Sequence, residues 1–584
     1  MMDALDRAIA STQSHLDALR DARGHWEGHL SSSALSTATA IVALSLVDAG
    51  KHAAHIAAGA RWLSEHQNAD GGWGDTTLSK SNLSTTLLCW SALHRVGTRC
   101  AVSDEWIIAH VGSLDPKAIA RAVITRYGKD KTFSVPILML CTLCGTLGKD
   151  GWRHVIALPF ELAALPRTWF GAIGLPVVSY ALPALIAIGH ARFHHAPPAW
   201  WNPLRWLRAL TWPRIRPMLQ TLQPSSGGYL EATPLTSFVT MALAGAGQLD
   251  HPCLPLAVEF LTRSKREDGS WPIDTNLATW GTTLSIRALG DSVSSPSALR
   301  SSLLAQQYRD IHPFTNAPPG GWAWTDLPGG VPDADDTSSA LIALKQIGHT
   351  ADAAIEQGIT WLLNLQNRDG GIPTFCRGWG ALPFDRSTPE ITAHALLAWW
   401  TWLEELSEPL QKRIVKSTQR ALRYLEAVQH SNGAWTPLWF GNEHTPDESN
   451  PVYGTAQVIN HLGENARLAT LARALIQSGL DYLRSAQKPD GSFGGDANAP
   501  SSIEETAVAW QTLSRTGNPA REKVLLGTQW LLAATENGTR FPPAPIGLYF
   551  ARLWYHEQLY PVIWTLGALT SARKALGKHH EVRS

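Results

Sequence analysis

The sequence predicts an all-α fold built from repeated pairs of helices. Three observations lead to this prediction. A short turn motif recurs along the chain, a helix-like segment precedes most of its copies, and patterns typical of β-strands are nearly absent. Helix pairs that cannot bury their apolar faces alone must stack on one another, either in a solenoid or in a closed α-barrel.

The recurring motif is a polar residue, three variable residues, a glycine, one further residue and usually an aromatic one. Its copies are "QNADGGW" (residues 67–73), "KREDGSW" (265–271), "QNRDGGI" (366–372), "QHSNGAW" (429–435) and "QKPDGSF" (487–493), with a weaker copy "QPSSGGY" at 223–229. An Asp-Gly pair forms a tight turn at little steric cost. We expect the aromatic ring to pack back on the preceding helix, with the glutamine capping a neighbouring helix terminus.

The repeats divide the chain unevenly. Residues 103–220 are Pro-rich and apolar and contain no clear copy, whereas the C-terminal half is rich in copies. A chain of 584 residues is also too long for one ordinary hydrophobic core. We therefore expect two large domains, of which the N-terminal one has fewer and more diverged repeats.

Composition excludes some classes of function. The 49 basic and 49 acidic residues cancel, which argues against a nucleic-acid-binding surface. The six cysteines are scattered, which favours a reducing, cytoplasmic compartment. The N-terminal segment is charged and amphipathic, so it does not read as a signal peptide. The 26 tryptophans must serve a core or a binding cavity.

Two segments bear on membrane contact. Residues 168–189 are uncharged and long enough to cross a bilayer, but Pro176 and Pro183 favour a buried or cavity-lining helix pair. Residues 200–219 alternate tryptophans with arginines, a pattern that suits the headgroup level of a membrane surface. The alternating residues are Trp200, Trp201, Arg205, Trp206, Arg208, Trp212, Arg214 and Arg216. We favour surface attachment there; the alternative is an exposed basic loop whose tryptophans pack inward.

Three carboxylates stand together in "PDADDT", residues 332–337, just before an apolar run. Asp335, Asp336 or Thr337 could cap a helix, whose first turn accepts negative charge. Capping does not account for three carboxylates, because close like charges resist joint ionisation and should raise the pKa of one of them. A calcium loop would need further oxygen ligands and a distal glutamate, which are not found. A functional carboxylate cluster is therefore a serious hypothesis.

The motif "PDADDT", preceded by "GGWAW" (residues 320–324) and combined with the Gln-x3-Gly-x-Trp repeats, resembles the squalene–hopene cyclases, which are class II terpene cyclases. The resemblance implies two α/α-barrels, or toroids. Residues 1–30 and 276–584 would form the catalytic barrel, and residues 31–275 would form an inserted second barrel with the probable membrane-attachment region.

The resemblance also implies roles at the carboxylates. Asp335 would be the acid that protonates a terminal alkene, assisted by Asp333 and Asp336. His394, in "PEITAH", would hydrogen-bond that acid. The same network would include Glu390 and Tyr453, the latter in "PVYGT".

The implied substrate cavity is aromatic, because aromatic faces stabilise carbocations without acting as nucleophiles. The residues that match the family's lining are Trp280, Trp324, Phe375, Trp439, Phe541 and, in the diverged half, Tyr180. A water held by Thr233, in "EATPLT", could take the final proton. Residues 80–90 lack an acidic motif that the family often carries, which leaves the product open.

The function implied is cyclisation of a linear isoprenoid, with squalene as the first candidate, to a polycyclic, hopene-like triterpene. A diterpenoid or meroterpenoid substrate is the alternative within the same enzyme class, and a non-catalytic α-barrel scaffold is the alternative outside it. The resemblance implies neither a metal nor another cofactor. It places the protein as a peripheral, monotopic protein at the cytoplasmic face of a membrane, and it leaves a homodimer open.

Overall fold

Helices form nearly all of the regular structure. The computed structural model describes residues 2–581 except 99, 129, 167–168, 171–180, 314, 376, 378–382, 517–520 and 549–551. In chain order the α-helices are α1 (Met2–Ala18), α2 (Ala34–Asp48), α3 (Ala53–Glu65), α4 (Leu83–Arg95), α5 (Ala101–Val111), α6 (Pro116–Tyr127), α7 (Lys131–Leu143), α8 (Leu182–His195), α9 (Pro203–Thr221), α10 (Thr233–Gly245), α11 (Leu254–Arg263), α12 (Ala278–Leu289), α13 (Pro296–Gln306), α14 (Ala334–Gln346), α15 (Ala353–Leu365), α16 (Pro389–Trp402), α17 (Glu408–Val428), α18 (Pro451–Glu464), α19 (Ala466–Leu471), α20 (Arg473–Ala486), α21 (Ile503–Thr516), α22 (Arg521–Ala534) and α23 (Leu559–Glu581). The short strands are β1 (Ser32–Ser33), β2 (Trp271–Pro272), β3 (Ile546–Leu548) and β4 (Leu553–Tyr555), paired antiparallel as β1–β2 and β3–β4.

Six helices of the C-terminal half form a closed inner ring. Helices α12, α14, α16, α18, α21 and α23 each pack on the next, and α23 returns to pack on α12. Helices α13, α15, α17, α20 and α22 flank them, and α1 lies against α23. The ring closure selects a barrel over the open solenoid that the repeats alone also allowed.

Burial distinguishes the two layers. Nearly every residue of the inner helix α16 between Pro389 and Trp399 is buried. The neighbouring helix α17 buries only a stripe, which includes Leu410, Ile414 and Leu425. An inner helix is apolar on all sides, whereas an outer one is amphipathic with a 3.6-residue period.

The N-terminal half forms a second closed ring. Helix α2 packs on α4, α4 on α7, α7 on α10, and α10 returns to α2, with α8 packed on α10. The two-stranded ladder β1–β2 ties Ser33 to Trp271. The prediction of an all-α fold with two α/α-barrels is therefore confirmed.

The turn motif at 429–435 fastens neighbouring helices through side-chain hydrogen bonds. In the copy at 429–435, Trp435 Nε1 donates to the carbonyl of Leu425 on the preceding helix at 2.9 Å. Gln429 Nε2 donates to the carbonyls of Gly433 and of Leu475, in the first turn of α20, at 2.9 and 3.1 Å. The aromatic ring therefore packs as expected, but the glutamine bridges to the next outer helix instead of capping a terminus.

A third bond fixes where the next inner helix starts. The backbone N–H of Trp435 donates to Thr455 Oγ1 at 2.8 Å. The same N–H to threonine bond recurs for the pairs Trp73–Thr86, Trp271–Thr37, Trp322–Thr337, Ile372–Thr392 and Phe493–Thr506. Thr337 is the last residue of "PDADDT", so this threonine belongs to the repeat.

The uncharged segment at 168–189 is described only in part, because residues 171–180 lie outside the described residues. Its second half enters α8 at Leu182, and most of that helix up to Ala191 is buried. No helix in the described part of the chain is both long enough and apolar enough to cross a bilayer.

The Trp/Arg segment forms a helix, not a loop. On and just before α9, Trp200, Trp201, Trp206 and Leu210 are 69%, 71%, 65% and 78% exposed; we call these four residues the aromatic patch. The sequence pattern suggested that all of the alternating tryptophans and arginines could face the membrane. Two of them face the protein instead, because a helix with 3.6 residues per turn directs some of its side chains inward.

Trp212 and Arg208 are those two positions. Trp212 stacks on the ring of His190 at 3.5 Å and 4°. Arg208 is buried and pairs with Glu161 at 2.9 Å. The aromatic patch is therefore narrower than the sequence pattern suggested.

Replacing Thr455 by valine should destabilise the C-terminal barrel. Valine keeps the shape but cannot accept the N–H of Trp435, and an unpaired buried N–H costs about 1–3 kcal/mol. Lower midpoints in thermal and urea unfolding, followed by far-UV circular dichroism, would show this. Thr455→Ser keeps the hydroxyl and is the matched control. Equal midpoints for the Val and Ser variants would contradict the role of this bond.

Candidate active site

The three carboxylates lie at the start of α14, where the repeat places the N-terminus of an inner helix. Asp333 is the N-cap, and its Oδ1 accepts the N–H of Asp336 at 2.8 Å. The cap is therefore not Asp335, Asp336 or Thr337, because the backbone leaves extended geometry only after Asp333. This frees Asp335, in the first turn, to point away from the helix end.

The three carboxyls differ in how deeply they are buried. Asp333 and Asp336 are buried, and burial raises the pKa of both, with that of Asp336 raised further by the neighbouring Asp333. The pair therefore holds at least one proton near neutral pH. The side chain of Asp335 is 22% exposed, towards the cavities described below.

His394 on α16 meets Asp335 of the neighbouring inner helix α14. Its Nδ1 lies 2.5 Å from Asp335 Oδ1. Its Nε2 lies 3.3 Å from Nη1 of Arg287 on α12. The His394 ring stacks on that of His461, with centroids 4.2 Å apart and planes at 3°. Burial lowers the pKa of His394, which opposes the effect of Asp335.

Glu390 and Tyr453 lie behind the same pair. Glu390 stands one turn before His394 on α16, and its Oε1 accepts the N–H of Leu438 at 2.9 Å. Burial raises the pKa of Glu390 to about 7. The Tyr453 hydroxyl accepts a hydrogen bond from Gln457 at 3.0 Å, and burial raises its pKa. Both side chains line a polar cavity together with Asp335, His394 and Arg287.

On its other side, Asp335 faces an apolar cavity of about 250 Å³. The aromatic residues of its lining are Phe133, Phe238, Trp280, Trp324, Phe375, Phe384, Trp439, Phe440, Tyr555 and Tyr560. Trp324 and Trp439 both meet Phe375 edge-on, at 6.3 Å and 5.9 Å. Trp439 Nε1 donates to Thr374 Oγ1 at 2.7 Å, so the polar edge of this ring is hydrogen-bonded. Asp335 and Trp280 line both cavities, so they form the wall between them.

Four of the aromatic residues expected in the lining are therefore there: Trp280, Trp324, Phe375 and Trp439. Phe541 is not, because the turn after α22 directs its ring onto His15 of α1, with centroids 5.0 Å apart. Thr233 is buried beside the cavity, but its neighbours Ala232 and Pro234 form the wall. The expectation for Tyr180 falls on a residue outside the described part of the chain.

The sequence analysis did not identify several residues of the site. Tyr555 and Tyr560 join the lining with their hydroxyl oxygens 2.9 Å apart, and the density of aromatic residues between 541 and 561 was a usable signal. Asp274 adds a carboxyl whose pKa burial raises well above its usual range. Arg287 and His461 gave no signal, since each reaches His394 only through the closure of the ring.

Strand β4 separates the apolar cavity from a polar cleft. Leu553 and Tyr555 face the apolar cavity, whereas Trp554 faces the cleft, which Lys80 and Arg552, the residue just before the strand, also line. This is the alternation of a β-strand, whose successive side chains point to opposite sides.

Comparisons with known proteins agree with this geometry. Residues 278–574 match the family model of the squalene-hopene cyclase C-terminal domain, and residues 9–181 match that of the N-terminal domain. A probable squalene–hopene cyclase from Sinorhizobium fredii is 24% identical over 98% of this chain and 97% of its own length.

An enfumafungin synthase from Hormonema carpetanum is 25% identical over 85% of this chain, which spans only 42% of that longer protein. The solved structure of an ent-copalyl diphosphate synthase from Streptomyces platensis shares the fold, with a TM-score of 0.54 and 20% identity over 98% of this chain and all of that one. Both halves of the family's two-domain pattern occur here in their proper order, and the chain belongs to the squalene–hopene cyclase family.

Proposed function

We propose that the protein is a class II terpene cyclase that protonates a terminal alkene of a linear isoprenoid, with squalene as the first candidate. The product would be a polycyclic, hopene-like triterpene. The observation that carries this proposal is the position of Asp335. Its carboxyl stands in the wall of an aromatic, apolar cavity, and His394 holds it from the polar side.

The chemistry begins at the proton of Asp335. The π electrons of the terminal alkene form a C–H bond with this proton, and the O–H electron pair stays on the carboxylate. Asp335 then accepts a hydrogen bond from His394, and a charge-assisted bond of this kind stabilises the new carboxylate. Each following alkene donates its π electrons to the cation and closes a ring. Loss of a proton or capture of water ends the sequence.

The cavity lining suits the carbocations that follow. Tryptophan, tyrosine and phenylalanine faces attract a cation, by about 2 kcal/mol or more where water is excluded. They offer no lone pair as nucleophilic as that of an amine or a thiolate. The edge-on packing of Trp324 and Trp439 against Phe375 holds these rings in fixed orientations.

The lining also favours a hydrocarbon over a prenyl diphosphate. Among the described residues that line the apolar cavity there is no lysine or arginine. A diphosphate needs cationic partners, which a hydrocarbon does not. A diterpenoid or meroterpenoid substrate stays the alternative within the same enzyme class. A scaffold would have no use for the contact between Asp335 and His394.

We also propose that the aromatic patch attaches the protein to the cytoplasmic face of a membrane. Exposed Trp200, Trp201, Trp206 and Leu210 can enter the headgroup region. Their helix α9 packs on α8, whose residue Ala184 lines the apolar cavity. A hydrocarbon stored in the bilayer would therefore have a short way to the site.

Asp335→Asn should abolish cyclisation, because an amide has no acidic proton to give. We expect at least a 1000-fold loss of product from squalene, on the order of the full effect of a general acid. The measurement is gas chromatography–mass spectrometry of extracts from incubations of wild type and variant. Asp352→Asn, at the N-cap of the outer helix α15, makes the same chemical change away from the cavities; it is the control and should retain activity. An Asp335→Asn protein with full activity would refute this role.

A substrate panel should separate the two enzyme alternatives. Because the described lining has no cationic residue, squalene should be cyclised and geranylgeranyl diphosphate should not. A prenylated phenol tests the meroterpenoid class in the same assay. Product from the diphosphate, with none from squalene, would overturn the choice of squalene while leaving the acid in place.

Removing the aromatic patch should release the protein from membranes. The double variant Trp206→Ser and Leu210→Ser removes two large exposed apolar side chains, and we expect at least about tenfold weaker binding to vesicles. Co-sedimentation with neutral and anionic phospholipid vesicles measures it. Ile311→Ser, at an apolar residue that is 63% exposed elsewhere, is the control. Undiminished binding of the double variant would place the membrane contact elsewhere.

A further inference from the structure

The side of His394 opposite Asp335 is closed by Arg287. Its Nη1 lies 3.3 Å from His394 Nε2, and its Nη2 lies 3.1 Å from Glu464 Oε2. Arg515 also reaches Glu464, at 3.4 Å. The Arg287 side chain is only 16% exposed, so its contact with His394 is largely shielded from bulk water.

The chemistry of arginine fixes the protonation of the histidine. A guanidinium carries only donors and stays charged, so Arg287 can only donate to His394. The Nε2 atom must then present its lone pair, which leaves the ring proton on Nδ1. The short contact of Nδ1 with Asp335 Oδ1 is therefore an N–H donated to the carboxyl, and the transferable proton of Asp335 must sit on Oδ2.

His461 supports the same neutral form of His394. Its ring lies parallel to that of His394, and burial holds the pKa of His461 well below its ordinary value. A second proton on His394 would create an imidazolium between a guanidinium and a stacked imidazole. Both neighbours disfavour that charge.

We infer that Arg287 is a positioning residue that fixes the Nδ1–H tautomer of His394 and supplies, without a titrating proton, the positive charge behind the acid Asp335. The inference rests on the proposed function and deepens it. In this arrangement the charge that faces the carboxylate left by proton transfer does not depend on pH. Without Arg287, only an imidazolium at His394 could supply it.

Other titratable groups face His394 and Asp335, and any of them that titrates could also change kcat with pH. Glu464 has a lowered pKa and stays ionised, and Tyr453 stays neutral. His461 also stays neutral. Glu390 has a pKa of about 7 and titrates within the working range. The variant must therefore be compared with wild type at each pH, so that the contribution of Glu390 cancels.

The first experiment compares Arg287→Met, Arg287→Lys and Arg515→Met with wild type in squalene cyclisation between pH 5.5 and 8.5. We expect kcat of Arg287→Met, relative to wild type, to fall by about tenfold or more from the acid to the alkaline end, as His394 loses its proton. Arg287→Lys keeps a charge and should recover much of the loss at pH 8.5. Arg515→Met removes the other partner of Glu464 and should keep the wild-type profile shape.

If Arg287 only stabilised the fold, the result would be different. Its removal would lower kcat by the same factor at every pH, and the lysine variant would not restore the alkaline limb. Either outcome overturns the inference.

The second experiment reads the tautomer directly and needs neither activity nor an Arg287 variant. Nitrogen-15 chemical shifts of histidine-labelled wild type, assigned with His394→Gln, should show protonated Nδ1 and unprotonated Nε2 at pH 7.5. A protonated Nε2 would overturn the inference. If the tautomer is found but no polyprenoid is cyclised, the proposed function fails while the assignment of Arg287 to the tautomer stands.

Discussion

One recurring hydrogen bond sets where several of the inner helices begin, including α14, which carries the carboxylates, and α16, which carries His394. At six turns, the backbone N–H at the last position of the turn donates to a threonine near the start of an inner helix. This bond fixes the depth at which the helix begins relative to its neighbour. Because successive inner helices close into a ring, their N-terminal ends converge on one region. The apolar cavity lies there, and the carboxylates of α14 enter it as part of an ordinary repeat.

The same position makes the carboxylates tolerable inside an apolar barrel. A helix N-terminus favours negative charge through its free N–H groups, and Asp333 uses its carboxylate to cap them. Burial works in the other direction and keeps a proton in the Asp333–Asp336 pair. Asp335 is the member left with a partner outside its own helix, His394, and with a face on the cavity. The division of roles among three identical side chains thus follows from their places in one helical turn.

Local sequence patterns predicted the fold and the core of the site, because the repeat and the carboxylate motif are each contained in a few consecutive residues. The resemblance to a family added His394, Glu390 and Tyr453. Arg287 and His461 stayed hidden, because their roles come from ring closure over more than 60 residues. The position of Phe541 could not be read from its own motif, because its ring packs on His15 of α1, which is distant in the sequence.

Strand β4 places Trp554 between Leu553 and Tyr555 on the opposite side of the extended chain, and Arg552, which directly precedes the strand, lines the same polar cleft as Trp554. A one-residue insertion or deletion at its start would exchange the two sides, since side chains alternate with a period of two. An arginine would then stand among the aromatic rings, where it would repel a carbocation and bind their faces itself. The register of β4 therefore decides which of its side chains line the apolar cavity. A substitution at Leu553 or Tyr555 would change the shape of the cavity without exchanging the two sides.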